Sequence, residues 1–151
     1  MAEQLPGMKL KAIGIVRNEI KRPVRHGWSE IVSEIVVDNS LTEALDGLDE
    51  CSHIIVLYWM HQLTPGRKLQ LRVHPMGKPE LPLVGRFATR SPSRPNPVGQ
   101  STVKLLERRG NILKVKGLDA IDGTPVIDIK PYIPKYDSAD DAKAPPWMTE
   151  Q

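Results

Sequence analysis

The eight-residue run His53-Ile-Ile-Val-Leu-Tyr-Trp-Met60 constrains the fold most strongly. It is apolar throughout, rich in β-branched and aromatic side chains, and too short for a buried helix. A strand of that kind needs cover on both faces, which places it at the centre of the protein. The other apolar segments are also of strand length. Residues 8 to 17 alternate and then run apolar, and Ile31 to Val37 is β-branched. Leu69 to Val73 alternates, and so does Pro125 to Lys130. Ser101 to Glu107 and Ile112 to Leu118 flank Arg108-Arg-Gly-Asn111, the form of a hairpin. One short helix is expected after Ser40-Leu-Thr-Glu43, a capping-box pattern with Leu41, Ala44, Leu45 and Leu48 on one face. No strand–helix–strand alternation occurs. The pattern predicts a mostly β chain: one small antiparallel sheet or barrel with one or two short helices.

Between those strands lies a stretch where regular structure is hard to sustain. Residues 74 to 99 hold six of the chain's 14 prolines, each fixing φ and lacking a backbone donor. Within it, Arg90-Ser-Pro-Ser-Arg-Pro-Asn-Pro-Val-Gly-Gln-Ser101 combines rigidity with Arg and Asn. A stiff loop bearing guanidinium groups suits an anion or cofactor clamp, because a preformed shape costs little entropy on binding. It also suits a structural loop with incidental arginines. The segment from Arg67 to Arg109 carries ten Lys/Arg and two acids, a net +8. The remainder is therefore at −5, which gives the whole-chain +3. Such concentration fits a polyanion such as nucleic acid, or a solvated face balanced by the acidic remainder.

Several classes are disfavoured. The single Cys51 allows no internal disulfide and no Cys-based zinc site. The four histidines (26, 53, 61, 74) lack metal-ligand spacing, so no metal is expected. No apolar run reaches the ~18 residues of a membrane span. Residues 1 to 7 lack a signal-peptide core, which predicts a cytoplasmic protein. There is no P-loop, no G-x-S-x-G elbow and no G-x-G-x-x-G after a strand, so a Rossmann cofactor site is unsupported.

Two long motifs then point to a family. Phe87-Ala-Thr-Arg-Ser-Pro through Arg94-Pro-Asn-Pro-Val-Gly-Gln-Ser101 resembles the signature of the TrmO family, also called TsaA-like or YaeB-like proteins. Gly117-Leu-Asp-Ala-Ile-Asp-Gly-Thr-Pro-Val-Ile-Asp-Ile-Lys-Pro-Tyr132 resembles its other long motif. Ser52 to Gln62 and Ile13 to Arg17 are further matches. The resemblance covers roughly residues 8 to 137 and divides the chain into a tail (1–7), a β-barrel methyltransferase domain (8–137) and an irregular C-terminal tail (138–151).

The resemblance implies a homodimeric methyltransferase that uses S-adenosylmethionine. The implied substrate is tRNA, methylated on N6 of threonylcarbamoyladenosine beside the anticodon. Cofactor contacts are implied at Pro23, Val24 and Arg25, at His61 and Gln62, at Arg90 and Gln100, and at Leu118, Asp119 and Asp122. Arg90 suits the methionine carboxylate or an RNA phosphate. Asp119 or Asp122 suits the methionine ammonium, the ribose hydroxyls or the adenine amine. A general base is expected among Asp119, Asp122, His61 and Tyr132, with Asp122 expected to be essential. Turn formation before Gly123 would also explain both aspartates. Tyr58 and Trp59 are expected in the core, with room for one to face a cofactor. Some relatives carry a further C-terminal domain that helps hold tRNA. The chain ends about 14 residues after Asp137, so recognition is expected to rest on Lys68, Arg72, Arg86, Arg94, Arg108 and Arg109. A different methyl acceptor, or a non-catalytic module binding S-adenosylmethionine or RNA, are the alternatives.

Overall fold

The computed structural model describes residues 4–24, 27–61 and 68–149. Strand-length runs become eight strands: β1 (Gly14–Arg17), β2 (Val32–Val37), β3 (His53–Trp59), β4 (Arg72–Val73), β5 (Val84–Gly85), β6 (Val98–Arg109), β7 (Ile112–Lys116) and β8 (Pro125–Pro131). Six close into an antiparallel barrel in the order β1-β2-β7-β6-β3-β8, with β8 returning to β1. The expected small β-barrel is therefore the observed fold, and β3 pairs along its length with both β6 and β8. β4 and β5 form a separate two-stranded pair within the proline-rich arm.

Alternation along the strands decides what fills the barrel. Ser33, Ile35 and Val37 of β2, Ile54, Val56 and Tyr58 of β3, and Val103, Leu113, Val115 and Val126 are all buried. Full burial of such aliphatic side chains contributes about 1.5–3 kcal/mol each. Leu118 and Ala120, just beyond β7, join the same cluster, and Leu45 packs into it from the 3-10 turns that follow β2. A barrel of six strands is narrow, and these side chains occupy its interior. A ligand must therefore sit at a barrel mouth, under loops.

The expected strand Leu69 to Val73 is only Arg72–Val73 and pairs with β5 inside the proline-rich stretch, and the structure departs from the sequence reading in three further places. The expected helix after Ser40 is a 3-10 segment, Asn39–Leu45, and its cap is Asp38, whose carboxylate accepts from the Ser40 amide at 2.9 Å. The first strand is only Gly14–Arg17, although Ile13 still donates to the Val126 carbonyl. β6 starts at Val98, earlier than the alternation suggested, because backbone donors return directly after Pro97 and pair with β3. The β6–β7 hairpin turns through Gly110 and Asn111, with Gly110 in the left-handed region that favours glycine.

Candidate active site

The site forms where β3 ends and β6 begins. Leu57 pairs with Gln100, Tyr58 with Gly99 and Trp59 with Val98. The Met60 amide then donates to the Pro97 carbonyl at 2.7 Å. This pairing brings the end of the central strand to the proline-rich loop. A cavity of about 470 Å³ opens there, bounded also by the loop after β1 and by the segment joining β7 to β8. That volume suits a small-molecule ligand, since such sites span about 300–1,000 Å³.

Tyr58 stands at the inner wall. Its ring is 4% exposed, and its hydroxyl lies 3.1 Å from Ser101 Oγ. Ser101 Oγ also accepts the Asp119 amide at 3.3 Å, which fixes the start of the β7–β8 segment against β6. Burial pushes the Tyr58 phenol above its ordinary range; the Ser101 hydrogen bond opposes that shift. The Asp119 carboxylate raises it further and the Arg90 guanidinium lowers it. Asp119 opens to solvent through the cavity mouth while protein atoms crowd its flanks. The crowding raises its carboxyl pKa by desolvation, since the charged form loses hydration there. Among the described residues the side chains of Arg90 and Gln100 have no hydrogen-bond partner and stand available at the rim.

The loop that carries Arg90 is held by its own polar groups. Thr89 Oγ1 donates to the Arg86 carbonyl at 2.8 Å, and Ser91 Oγ accepts the Ser93 amide at 3.2 Å. Arg94 donates to the Thr89 and Ser91 carbonyls at 2.8 and 3.2 Å. Arg94 is thus an internal brace of the loop as well as part of the cavity lining.

Of the residues expected at the site, Pro23, Val24, His61, Arg90, Gln100 and Asp119 converge on this cavity. Arg25 and Gln62 lie outside the described residues. Two others do not face it. The Leu118 side chain is fully buried in the barrel core. Asp122 turns to the loop after β1, where it accepts from Lys21 Nζ at 2.6 Å and from the Asn18 amide at 2.9 Å. The Lys21 hydrogen bond, then that of the Asn18 amide, hold its carboxyl below the ordinary range. Such an acid is a weak base and a good tether. Tyr132 sits beside His53, at the opposite end of β3 from Tyr58.

The expected RNA contacts also divide. Lys68, Arg72, Arg86 and Arg94 belong to the arm that carries the cavity rim. Arg108 and Arg109 end β6, about 35 Å along the strand from Val98 at the usual rise per residue. There Arg108 donates to Asp46 Oδ1 (2.9 Å), the Gly110 carbonyl (3.0 Å) and the Thr42 carbonyl (3.2 Å), a structural cross-tie. Arg109 lies 3.6 Å from Glu107.

Sequence reasoning missed Trp28, Met60 and Gly99 as site residues; Ile121 and Thr124, within the second long motif, line the cavity too. None carries a chemical signature of its own. Gly99 fell in the proline-rich stretch of the sequence reading; the structure puts it inside β6, where a glycine permits close approach of another group. Here that group is the Tyr58 ring.

The geometry defines a class: a small antiparallel barrel with a polar-rimmed ligand cavity at one mouth. The chain belongs to the tRNA-methyltransferase O N-terminal domain family, which matches residues 17–138. A crystal structure of TrmO from Pseudomonas aeruginosa superposes with a TM-score of 0.77 at 29% identity, over 95% of this chain and 63% of that one. An Archaeoglobus fulgidus "S-adenosyl-L-methionine-binding protein" is 46% identical over 134 residues, covering 86% of this chain and 93% of the relative. A longer protein of the same organism, a "Probable S-adenosyl-L-methionine-binding protein", is 44% identical over 147 residues. The chain spans only 38% of that relative's length. Among the described residues no helix is long and apolar enough to cross a membrane, and no cluster of metal-ligating side chains occurs.

Proposed function

We propose that the chain is an S-adenosylmethionine-dependent methyltransferase that methylates N6 of threonylcarbamoyladenosine beside the anticodon of tRNA. The observation that carries this reading is the convergence of Asp119 and Arg90 on one cavity at the barrel mouth. The name of the Archaeoglobus relative and the family to which the chain belongs support the choice of cofactor and reaction.

The residues present fit the cofactor. Its amino-acid end carries a carboxylate, and the Arg90 guanidinium at the rim suits it. Val24, Trp28, Met60 and Ile121 give apolar cover suited to an adenosine moiety. The cofactor supplies an electrophilic sulfonium methyl group, and a nearby carboxylate favours that positive charge.

What the protein must add is position and a proton acceptor. Orientation of bound reactants can remove about 7–11 kcal/mol of a bimolecular barrier. Arg90 on the braced loop, Gln100 on β6 and His61 after β3 supply donors and acceptors for that purpose. The N6 proton of the acceptor must leave as the new bond forms. Asp119 is the base, because it is the carboxylate on the cavity lining, and partial desolvation raises its basicity. Ser101 holds the Asp119 backbone and the Tyr58 hydroxyl in register. The basic arm attracts the tRNA backbone, and a second copy of the chain completes the functional particle.

Nucleoside mass spectrometry of tRNA from cells with and without this protein tests the reading. The methylated threonylcarbamoyladenosine peak should vanish without it. An unchanged peak overturns the substrate assignment.

A further inference from the structure

Phe87 is the chain's single phenylalanine, and it is 78% exposed. It is not on a loose tip. It occupies the 3-10 turn Arg86–Ala88. The Arg86 amide donates to the Leu71 carbonyl at 2.8 Å, and Arg86 Nε donates to the Gln70 carbonyl at 3.0 Å. From the other side, Thr89 closes back on the Arg86 carbonyl through both its amide and its hydroxyl. The turn is therefore fixed while its largest side chain stays in water.

Arg94 covers part of the ring. Its guanidinium carbon lies 5.9 Å from the ring centroid, a cation–π distance. The same Arg94 lines the cavity. The ring thus stands one side chain away from the proposed methyl-transfer site, with most of its surface open.

The surroundings identify what would cover it. Residues 86 to 94 hold three arginines and no acid. Arg72 lies in the strand paired with Gly85, immediately before the turn. An open aromatic face on a segment that carries arginines and no acid matches an unpaired nucleobase and its phosphates. Every base offers a π-face, and Arg72, whose side chain makes no hydrogen bond among the described residues, takes the backbone, since Arg86 and Arg94 are held by carbonyl oxygens. A rigid ring also binds with little loss of conformational freedom.

We propose that Phe87, backed by Arg94, is a stacking platform for an unpaired base of the RNA, next to the nucleotide that enters the cavity. The inference rests on the tRNA reading above and assigns that reading a specific anchor. Enzymes that act on a base within an RNA loop must hold its neighbours while the target leaves the stack.

The test uses a fluorescein-labelled anticodon stem-loop RNA, with affinity read by anisotropy over a series of salt concentrations. Phe87→Ala should weaken binding about 5- to 150-fold, the range for losing one base–aromatic stack. The salt slope should not change, because no phosphate contact is removed. Phe87→Trp should stay within about threefold of the wild type, since indole also offers a π-face. Phe87→Leu should behave like the alanine variant, and it guards against a simple loss of apolar bulk. S-adenosylmethionine affinity by calorimetry should stay unchanged in all three. If Phe87→Ala binds the RNA as well as the wild type does, the platform is wrong and the tRNA reading stands. If the wild type binds no RNA, both fail. If Phe87→Ala alters the oligomeric mass in sedimentation, the ring serves self-association and the proposal is overturned.

Discussion

A methyl group added at Gly99 should disable the site from within the barrel. An alanine Cβ there would sit against Tyr58 Cε2, 2.6 Å from Cζ and 3.0 Å from Cδ2. Comfortable carbon contacts lie near ~3.5–4.0 Å, so the ring must move by more than a small adjustment. Tyr58 is 4% exposed and packed in the core cluster, and the open space beside it is the cavity of about 470 Å³. Gly99→Ala should therefore drive the ring into the ligand volume and break its contact with Ser101. Overpacking costs about 1–3 kcal/mol, and the lost hydrogen bond adds about 1 kcal/mol. At about 2–4 °C per kcal/mol for a chain of this size, the melting temperature should fall by about 5–15 °C. Thermal unfolding followed by circular dichroism measures the first effect. Calorimetric titration with S-adenosylmethionine measures the second, which should be a loss of affinity of at least tenfold. In a Tyr58→Leu background the same methyl should cost under about 1 kcal/mol, because the coupled partner has gone. A Gly99→Ala protein with unchanged melting temperature and unchanged affinity would refute the packing argument and the location of the cavity together.

Asp119→Asn should lower methyl transfer about 10²- to 10⁴-fold, the usual contribution of a general base, with the fold intact in thermal unfolding. The wild-type single-turnover rate should rise with pH along a limb displaced above the ordinary carboxylate range, because the base works only when deprotonated. The same raised pKa means that ionised Asp119 opposes folding, so stability should decline as pH climbs from its unfolded value through its folded value, and Asn should remove that decline. Asp122 has the opposite sign. Its lowered pKa gives a stabilising contribution that is present at neutral pH and lost as pH falls through the folded value. Asp122→Asn should flatten that acid limb in denaturation curves and reduce turnover by less than about tenfold, as expected of a tether remote from the chemistry. Arg108→Ala should cost about 1–2 kcal/mol through its lost hydrogen bonds, with RNA affinity unchanged in the anisotropy assay.

The barrel was legible because its strands are short, β-branched and alternating. β3 announces itself as central, and Ser33, Ile35 and Val37 show the period of two that a half-buried strand requires. Closure was less legible, since it depends on β8 returning to β1 across most of the chain. The helix expected after Ser40 was misread because the capping-box pattern matches either a 3-10 or an α turn, while Asp38 supplies the cap. Arg90, Gln100, His61 and Asp119, which the motifs singled out, line one cavity. Asp122 is absent from that lining for a physical reason. It lies three residues beyond Asp119 in the same motif, but the turn at Gly123 sends it toward Lys21 and Asn18. Arg108 looked like a phosphate contact because charge alone cannot separate a free cation from one spent on carbonyl oxygens. Tyr58 and Gly99 face each other only through the β3–β6 register, which sequence does not display.

The central claim is that Asp119 and Arg90 frame a methyl-transfer site at the mouth of this barrel. Purified protein incubated with methyl-labelled S-adenosylmethionine and tRNA containing threonylcarbamoyladenosine tests it most directly. The account predicts label on N6 of that nucleoside after digestion, with the signal lost in Asp119→Asn and in Arg90→Ala. Unlabelled tRNA in the presence of folded, cofactor-binding protein, or full labelling by both variants, would contradict it.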